Sequence, residues 1–525
     1  MGVGKGKRSP AVDPRQELER IRARPATAEV VTCQCTLVTP MFGGGVKAGE
    51  VDRSMPIRAT AVRGQLRFWW RLLNRNGPDG RTRDRKALFA EERAIWGGLG
   101  DGRDGGLTKS QVVVQVRAAT ELRYAPAAEY PSGRPFPIWS PKSKGYALFP
   151  AANIGGGNGA PRRAAELLQP GARFELRLVR GDGLSDGQWQ QVLAALHWWA
   201  VFGGVGARTR RGLGALQVDC NGEPLLCPTK EELDSNGCTL VVRQPMSNAH
   251  AAWLAAIEKL MEFRQGVGVG RNPPAHRANN KSPAGRSRWP EPDTIRKLTG
   301  RAAPAHPPEH PACGLFPRAM FGLPIITHFK DKDDPLDTSL QPVPPGRSAA
   351  AERMASPLIL RPLRVDKDQW APAALLLPHE HVLEMGLQLL QGARPVSGVM
   401  RPDEWWQPEK ASLIPPLSAF GKEKNPLEAF LEGFAQGRWP KPSKSKVPEA
   451  VRVLERPNLK LVGKALEIMP ADGSRKITFV QEDLSRCLAA LSAYARGRLG
   501  QGKLFNRLRL TLRGDAFMAL KEYSE

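Results

Sequence analysis

Two glycine-rich stretches bordered by arginines are where residue type and spacing in this sequence suggest chemistry. The first, TPMFGGGVKAGEVDRSMPIRATAVRGQLRFWWRLL, spans Thr39–Leu73. Gly43, Gly44 and Gly45 remove Cβ atoms from a connector that also carries Lys47, so its backbone can approach something bulky or adopt positive φ. Arg58 precedes a segment expected to be helical over 61–74. There Val62, Leu66, Trp69 and Leu73 share one narrow face suited to packing on a sheet. Arg63, Arg67, Arg71 and Arg75 recur every fourth residue as a neighbouring basic stripe, with Gln65 a polar group in the same helix. Arginines at this spacing repel one another unless acids or phosphates lie opposite, and the stretch itself has few acids. For an isolated helix, a solvated face with snorkelling arginines is the plainer reading. The adjoining glycine loop favours an anion site.

The second stretch, GGVGARTRRGLGALQV, spans Gly203–Val218 and follows a segment of helical spacing over 188–202. Gly206, Gly212 and Gly214 flank Arg208, Arg210 and Arg211. Successive backbone N–H groups in such a turn can form an anion-binding nest, and arginines add charge and forked donors. The stretch lacks the Gly-Lys-Ser/Thr ending of a phosphate-binding P-loop. It also opens a strand, whereas a dinucleotide fingerprint opens a helix. No nucleotide cofactor or small-molecule substrate is therefore expected. His197, next to Trp198, is the one histidine near this loop. It is a weak candidate for the general base that metal-free RNA cleavage needs, but a helical histidine among apolar residues more often has a structural role. His306, His310 and Cys313 in HPPEHPAC have no fourth ligand in view, and no metal is expected.

The elements that would position these loops follow in a recognisable order. Strands are expected over 30–38, 112–116 and 174–179, helices over 61–74 and 188–202, and a strand after the second loop. Strand, helix, strand, strand, helix, strand is the ferredoxin-like order, shared with RRM domains, although the aromatic RNP motifs of RRMs are not recognisable. The fold class expected is α+β: two ferredoxin-like modules with long loop insertions. Residues 1–28 read as a flexible basic arm, with a short charged helix over 16–24. Residues 29–238 form the first module, and residues 239–525 the second, with Pro/Gly-rich insertions near 266–310 and 394–450. The 266–310 insertion carries Lys281, Arg286 and Arg288 beside Trp289, basic groups and an aromatic that suit a nucleic-acid backbone; a solvated insertion is the equal alternative. A helix leading through glycines to a basic strand over 480–515 echoes 189–218 and suggests a duplication.

Composition narrows the partners. The 525 residues hold 77 Lys plus Arg against 52 Asp plus Glu, a net charge of +25, which attracts polyanions, nucleic acid first. No long apolar stretch or signal peptide is evident, so no membrane partner is expected. Seven scattered cysteines point to a reducing, cytoplasmic setting. Cys33 and Cys35 share one strand face and are expected to pack as small apolar residues.

TPMFGGG followed by PIRATAVRGQLRFWWR resembles the N-terminal signature of the large end-cap subunit of type III-B CRISPR effectors, the Cmr complexes. GGVGARTRRGLGAL resembles the glycine-rich loop of the wider RAMP superfamily (repeat-associated mysterious proteins). PRAMFGLPI, Pro317–Ile325, and ASPLILRPL, Ala355–Leu363, resemble later blocks of that subunit in the same order. The resemblance implies a non-catalytic subunit of an RNA-guided, RNA-targeting machine, capping the end near the guide RNA 3′ end and helping capture target RNA. Guide RNA, target RNA and other RAMP subunits would be its partners. Arg58, Arg63, Arg67 and Arg71 would then neutralise phosphates, and Gln65 would touch a sugar or base edge. Gly43–Gly45 and Gly203–Gly214 would admit the RNA backbone, with Arg208, Arg210 and Arg211 as its clamp. A RAMP endoribonuclease that processes guide RNA and a protein-only scaffold are the alternatives.

Overall fold

Alternating apolar and polar residues set the first strand, β1 (Val30–Leu37): Cys33, Cys35 and Leu37 are buried on one face, while Gln34 is exposed on the other. The structure, a computed structural model, describes residues 29–77, 80–100, 106–130, 137–152, 164–273, 285–420, 424–437, 439, 451–471, 476–501, 503, 505–506, 508–513 and 516–522. The arm over 1–28 with its charged helix, and Lys281, lie outside these residues.

Helix α1 (Ala59–Leu73) follows, then α2 (Arg85–Trp96), β2 (Val112–Thr120), β3 (Arg173–Arg180), α3 (Asp186–Phe202) and β4 (Leu216–Cys220). Helix α3 starts at a capping box in which Ser185 and Gln188 satisfy each other's backbone N–H groups. The sheet runs β2-β3-β1-β4 with every pairing antiparallel, and the short Glu223–Pro224 strand extends its β4 edge. This is the ferredoxin-like arrangement. Val62, Leu66, Trp69 and Trp70 of α1 and Trp189, Val192, Leu196 and Trp199 of α3 are buried in one core with the sheet. The opposite face of the sheet is polar and mixed in sign, with Gln34 and Arg117 both bound to Glu175.

The cysteine expectation needs correcting. Cys33 and Cys220 sit directly opposite in the β1–β4 pairing and form a disulfide, while Cys35 remains a buried thiol whose pKa burial pushes up.

A second module repeats the order of β1, α1, β2, β3 and α3: β5 (Thr239–Val242), α4 (Ala249–Gln265), β6 (Leu358–Asp366), β7 (Gln369–Leu376) and α5 (Pro426–Gln436). Its sheet order is β6-β7-β5, again antiparallel. Both faces of this sheet are covered, which explains why β6 and β7 read as continuous apolar runs. Leu358, Leu360, Ala374 and Leu376 pack in the core that includes Trp253 and Ile257 of α4. The alternate residues Ile359, Leu363, Ala373 and Leu375 join the core of the first module. The second sheet therefore lies between α4 and the α1–α3 layer. Between α4 and β6, and beyond β7, the chain adds a four-stranded sheet from Ile325–Thr327, Thr338–Val343, Gly386–Gln391 and Arg394–Pro395.

The chain divides into two compact units, Met1–His306 with Ala312–Pro440, and Pro307–Pro311 with Lys441–Glu525. Both ferredoxin-like modules belong to the first unit, so the division differs from one second module running to 525. The echo expected over 480–515 belongs to the other unit. There helices Gln481–Ala490 and Ala493–Gly500 accompany two three-stranded sheets around Leu459, Ile468, Leu499 and Leu510.

Two glycines of the first module should respond oppositely to alanine. Gly214 has φ +67°, and a Cβ there would lie 1.8 Å from the Val205 carbonyl oxygen; Gly64, inside α1, faces open space. Gly214→Ala is expected to cost more than ~2 kcal/mol, the left-handed penalty plus a backbone clash. Gly64→Ala should gain ~0.5–1 kcal/mol from helix propensity. Denaturant melts of the two variants check both signs.

Candidate nucleic-acid interface

The two glycine-rich loops meet. The Thr39 hydroxyl donates to the Gly212 carbonyl (2.6 Å) and accepts from the Ala215 N–H (2.9 Å), and Gly214 N–H donates to the Pro40 carbonyl (2.9 Å). Phe42 pairs with Ala207, and a Cβ on Gly206 would lie 2.7 Å from the Phe42 carbonyl oxygen. A Cβ on Gly44 would sit 3.3 Å from the Gly206 Cα. The glycines expected to admit an RNA backbone are thus used by the fold to bring one loop against the other. Gly212 likewise lies under Trp253, whose indole N–H donates to the Arg211 carbonyl (2.7 Å). Arg58 braces the first loop by donating to the carbonyls of Gly44 (2.7 Å) and Gly45 (3.2 Å), while Lys47 stands exposed.

The arginines of the second loop point inward, which corrects their reading as an open clamp. Arg208 donates to the Ala147 carbonyl (2.9 Å), and Arg210 to the Ser356 carbonyl. Arg211 donates to the carbonyls of Leu358 (3.2 Å) and Phe321 (3.1 Å) and to the Ser356 hydroxyl (3.4 Å). Arg361, on β6, reaches back to the Gly203 carbonyl at the end of α3 (2.7 Å) and to the Leu216 carbonyl (3.2 Å).

Among the described residues none of these four guanidiniums has a carboxylate partner. Burial holds Arg208 below its ordinary range and pushes Arg210 down to about 10 and Arg361 down to about 9. Arg211 falls to about 9, first by burial and then by repulsion from Arg264, Arg208 and Arg210. The result is a concentration of positive charge that carbonyl dipoles solvate but no acid cancels.

The stripe on α1 is a different case. Its expected lack of nearby acids is corrected by Glu92 of α2, which is 2% exposed and accepts from Arg67 Nε and Arg71 Nη1, both at 2.6 Å. Arg75 turns to the Asn236 carbonyl (3.2 Å). Arg63 and Lys47 have no carboxylate partner among the described residues. Between α1 and the second loop lies a cavity of about 170 Å³ lined by Gln65, Phe68, Thr209 and Arg210 above Trp69 and Phe202. The Arg210 guanidinium stacks over the Phe68 ring, 4.9 Å from its centroid.

The remaining candidates fall elsewhere. Arg286 grips Asp293 with one nitrogen on both carboxylate oxygens (3.0 and 2.9 Å), and Arg288 donates to the Gly268 carbonyl. Trp289, expected beside them on an RNA-facing arm, is instead 1% exposed and packs edge-on against Phe263. His197 Nε2 contacts the Leu226 carbonyl (2.6 Å). His306 is gathered with Asp331 and Asp334, not with His310 and Cys313, and Arg296 occupies both Asp334 oxygens at 2.8 Å. No helix among the described residues is long and apolar enough to cross a membrane.

The chain is similar to several known proteins. Among solved structures it is similar to the crystal structure of Cmr1 from Pyrococcus furiosus in its apo form, at 15% identity over 67% of this chain and 88% of that chain, with a TM-score of 0.36. It is also similar to a chain of the type III-B Cmr-beta complex bound to cognate target RNA, at 11% identity over 67% and 95% of the two chains, with a TM-score of 0.35. A type IV-B CRISPR complex gives 16% identity over 38% and 94%, with a TM-score of 0.23. No curated protein matches the sequence. These superpositions are loose, and the assignment rests on the sequence: the RAMP superfamily model matches residues 34–217, from within β1 through both glycine-rich loops and into β4. Through this first module the chain is similar to the RAMP superfamily.

Proposed function

We propose that this protein is a non-catalytic, RNA-binding subunit of a type III-B CRISPR effector complex, working beside other RAMP subunits in the cytoplasm. It caps the end near the guide RNA 3′ end and helps hold target RNA. The observation that carries this reading is the group Arg208, Arg210, Arg211 and Arg361, four guanidiniums partly or wholly withdrawn from water with no carboxylate among the described residues. Such a charge favours a polyanion laid over it, and the net charge of +25 draws the same ligand from a distance.

Of the cations in the first loop and on α1, Arg63 and Lys47 have no carboxylate partner among the described residues and can meet phosphates, whereas Arg67 and Arg71 share Glu92. Each single-strand phosphate contact adds about 0.7 to the slope of log affinity against log salt. Replacing both Arg63 and Lys47 by Gln should therefore flatten the slope by about 1.4. Arg67→Gln should leave the slope nearly unchanged and lower the melting temperature. A slope that ignores the double substitution would remove these two residues from the RNA path.

Because RNA would relieve the repulsion around Arg211, it should stabilise the fold. Single-stranded RNA at 100 times its Kd is expected to add about 2.7 kcal/mol, read as a rise in Tm. A melting curve unmoved by saturating RNA contradicts the assignment.

Incubated with guide-precursor or target RNA, the protein should leave both intact. Site-specific cleavage that disappears in His197→Ala would overturn the non-catalytic reading and install the endoribonuclease in its place.

A further inference from the structure

The cavity between α1 and the second glycine-rich loop is not needed to bind phosphates, and its lining is of another kind. At about 170 Å³ it is well below the several hundred Å³ of a pocket for a drug-sized ligand. A cavity of about 150 Å³ is enough to hold benzene, so this one takes a single planar ring system. Its floor is aromatic: Trp69 and Phe202 are each 1% exposed, with ring centroids 6.2 Å apart. Its rim is reached from solvent through the half-buried Gln65, Phe68, Thr209 and Arg210. Gln65 offers an amide with donors and an acceptor, and Thr209 a hydroxyl that does both. Neither side chain is engaged by another group among the described residues. The Arg210–Phe68 stack supplies a planar cation beside the opening.

Resting on the RNA-binding reading above, we propose that this cavity receives one unstacked nucleobase of a single-stranded RNA. Recognition of unpaired RNA uses this combination: a splayed base stacked on aromatic side chains or a guanidinium plane, with its edge hydrogen-bonded by amides and hydroxyls. The inward-turned Arg208 and Arg211 of the same loop add positive charge that favours the phosphates of such a strand from a distance. Phosphate contacts fix the strand but carry no base information, whereas a base in this cavity fixes the register of the strand on the protein. Donors and acceptors from a flexible amide and a hydroxyl accept more than one base, so the cavity sets register with little sequence preference.

The test uses the full-length protein and a short single-stranded RNA in which each nucleotide in turn is made abasic. Stacking and edge contacts to one base predict one position where the abasic RNA binds about 5- to 100-fold more weakly, with the others nearly neutral. Gln65→Leu and Thr209→Val, each verified by an unchanged melt, should bind intact RNA more weakly and erase much of that position's sensitivity while leaving the salt slope unaltered. Two variants are used so that a folding defect in one does not decide the result. Salt-dependent binding with no abasic-sensitive position overturns the base pocket and leaves the RNA-binding reading standing. No binding to any RNA overturns both.

Discussion

The arrangement depends on burying guanidiniums whose partners are carbonyl oxygens. Arg361 joins the end of α3 and the start of β4 from the second module, while Arg210 and Arg211 reach from the first module to Ser356, Leu358 and Phe321. The two sets of bonds cross in opposite directions over the same seam. Carbonyl oxygens at the end of α3 carry the negative end of the helix dipole, so a cation there is favoured by geometry as well as by donor count. A carboxylate would have neutralised the charge more fully. Among the described residues none reaches Arg210, Arg211 or Arg361, so these charges are held by hydrogen bonds to carbonyls, while the Arg364–Asp219 ion pair (2.7 Å) joins β6 to β4 beside them.

Glycine makes that joint possible. With Cβ atoms at 206 or 214 the two loops could not approach, because each would strike backbone of the other loop or of its own turn. The second glycine-rich loop is therefore a hinge-free connector between α3 and β4, stitched to Thr39 and Pro40. Its arginines become available for the seam because the backbone is already fixed. The order of causes runs from glycine, to loop contact, to arginine placement, to charge.

Local periodicity made the first module legible. The apolar face of α1 announces itself through Val62, Leu66 and Trp69, and the order of strands and helices is the ferredoxin-like one observed. What stayed hidden were contacts between residues far apart in the chain. Nothing near Arg67 and Arg71 indicates that Glu92, on the next helix, neutralises both. Arg210 and Arg211 have partners 110 to 147 residues away, and no spacing rule connects them. Trp289 misled for the opposite reason: beside arginines in a Pro/Gly-rich stretch it resembled a stacking platform, yet a tryptophan buries most of its area wherever a core is offered. Cys33 and Cys220 also needed the register of β1 on β4 before their pairing could be seen.

The chain therefore contains two populations of arginine that look alike in sequence. One population is structural, tied to carbonyls or to Glu92, and its members shape the field without being free to move. The other, represented by Arg63 with Lys47, lacks a carboxylate partner among the described residues and can follow a ligand. A phosphate backbone approaching the loop junction would meet the mobile charges first and the fixed ones after. Fixed cations need no reorganisation when the anion arrives, and this preorganisation favours tight binding. Mobile ones bring steering and salt sensitivity. The division follows from where the carboxylates are: Glu92 of α2 takes Arg67 and Arg71, and Asp219 of β4 takes Arg364 of β6, while among the described residues none reaches Arg208, Arg210, Arg211 or Arg361.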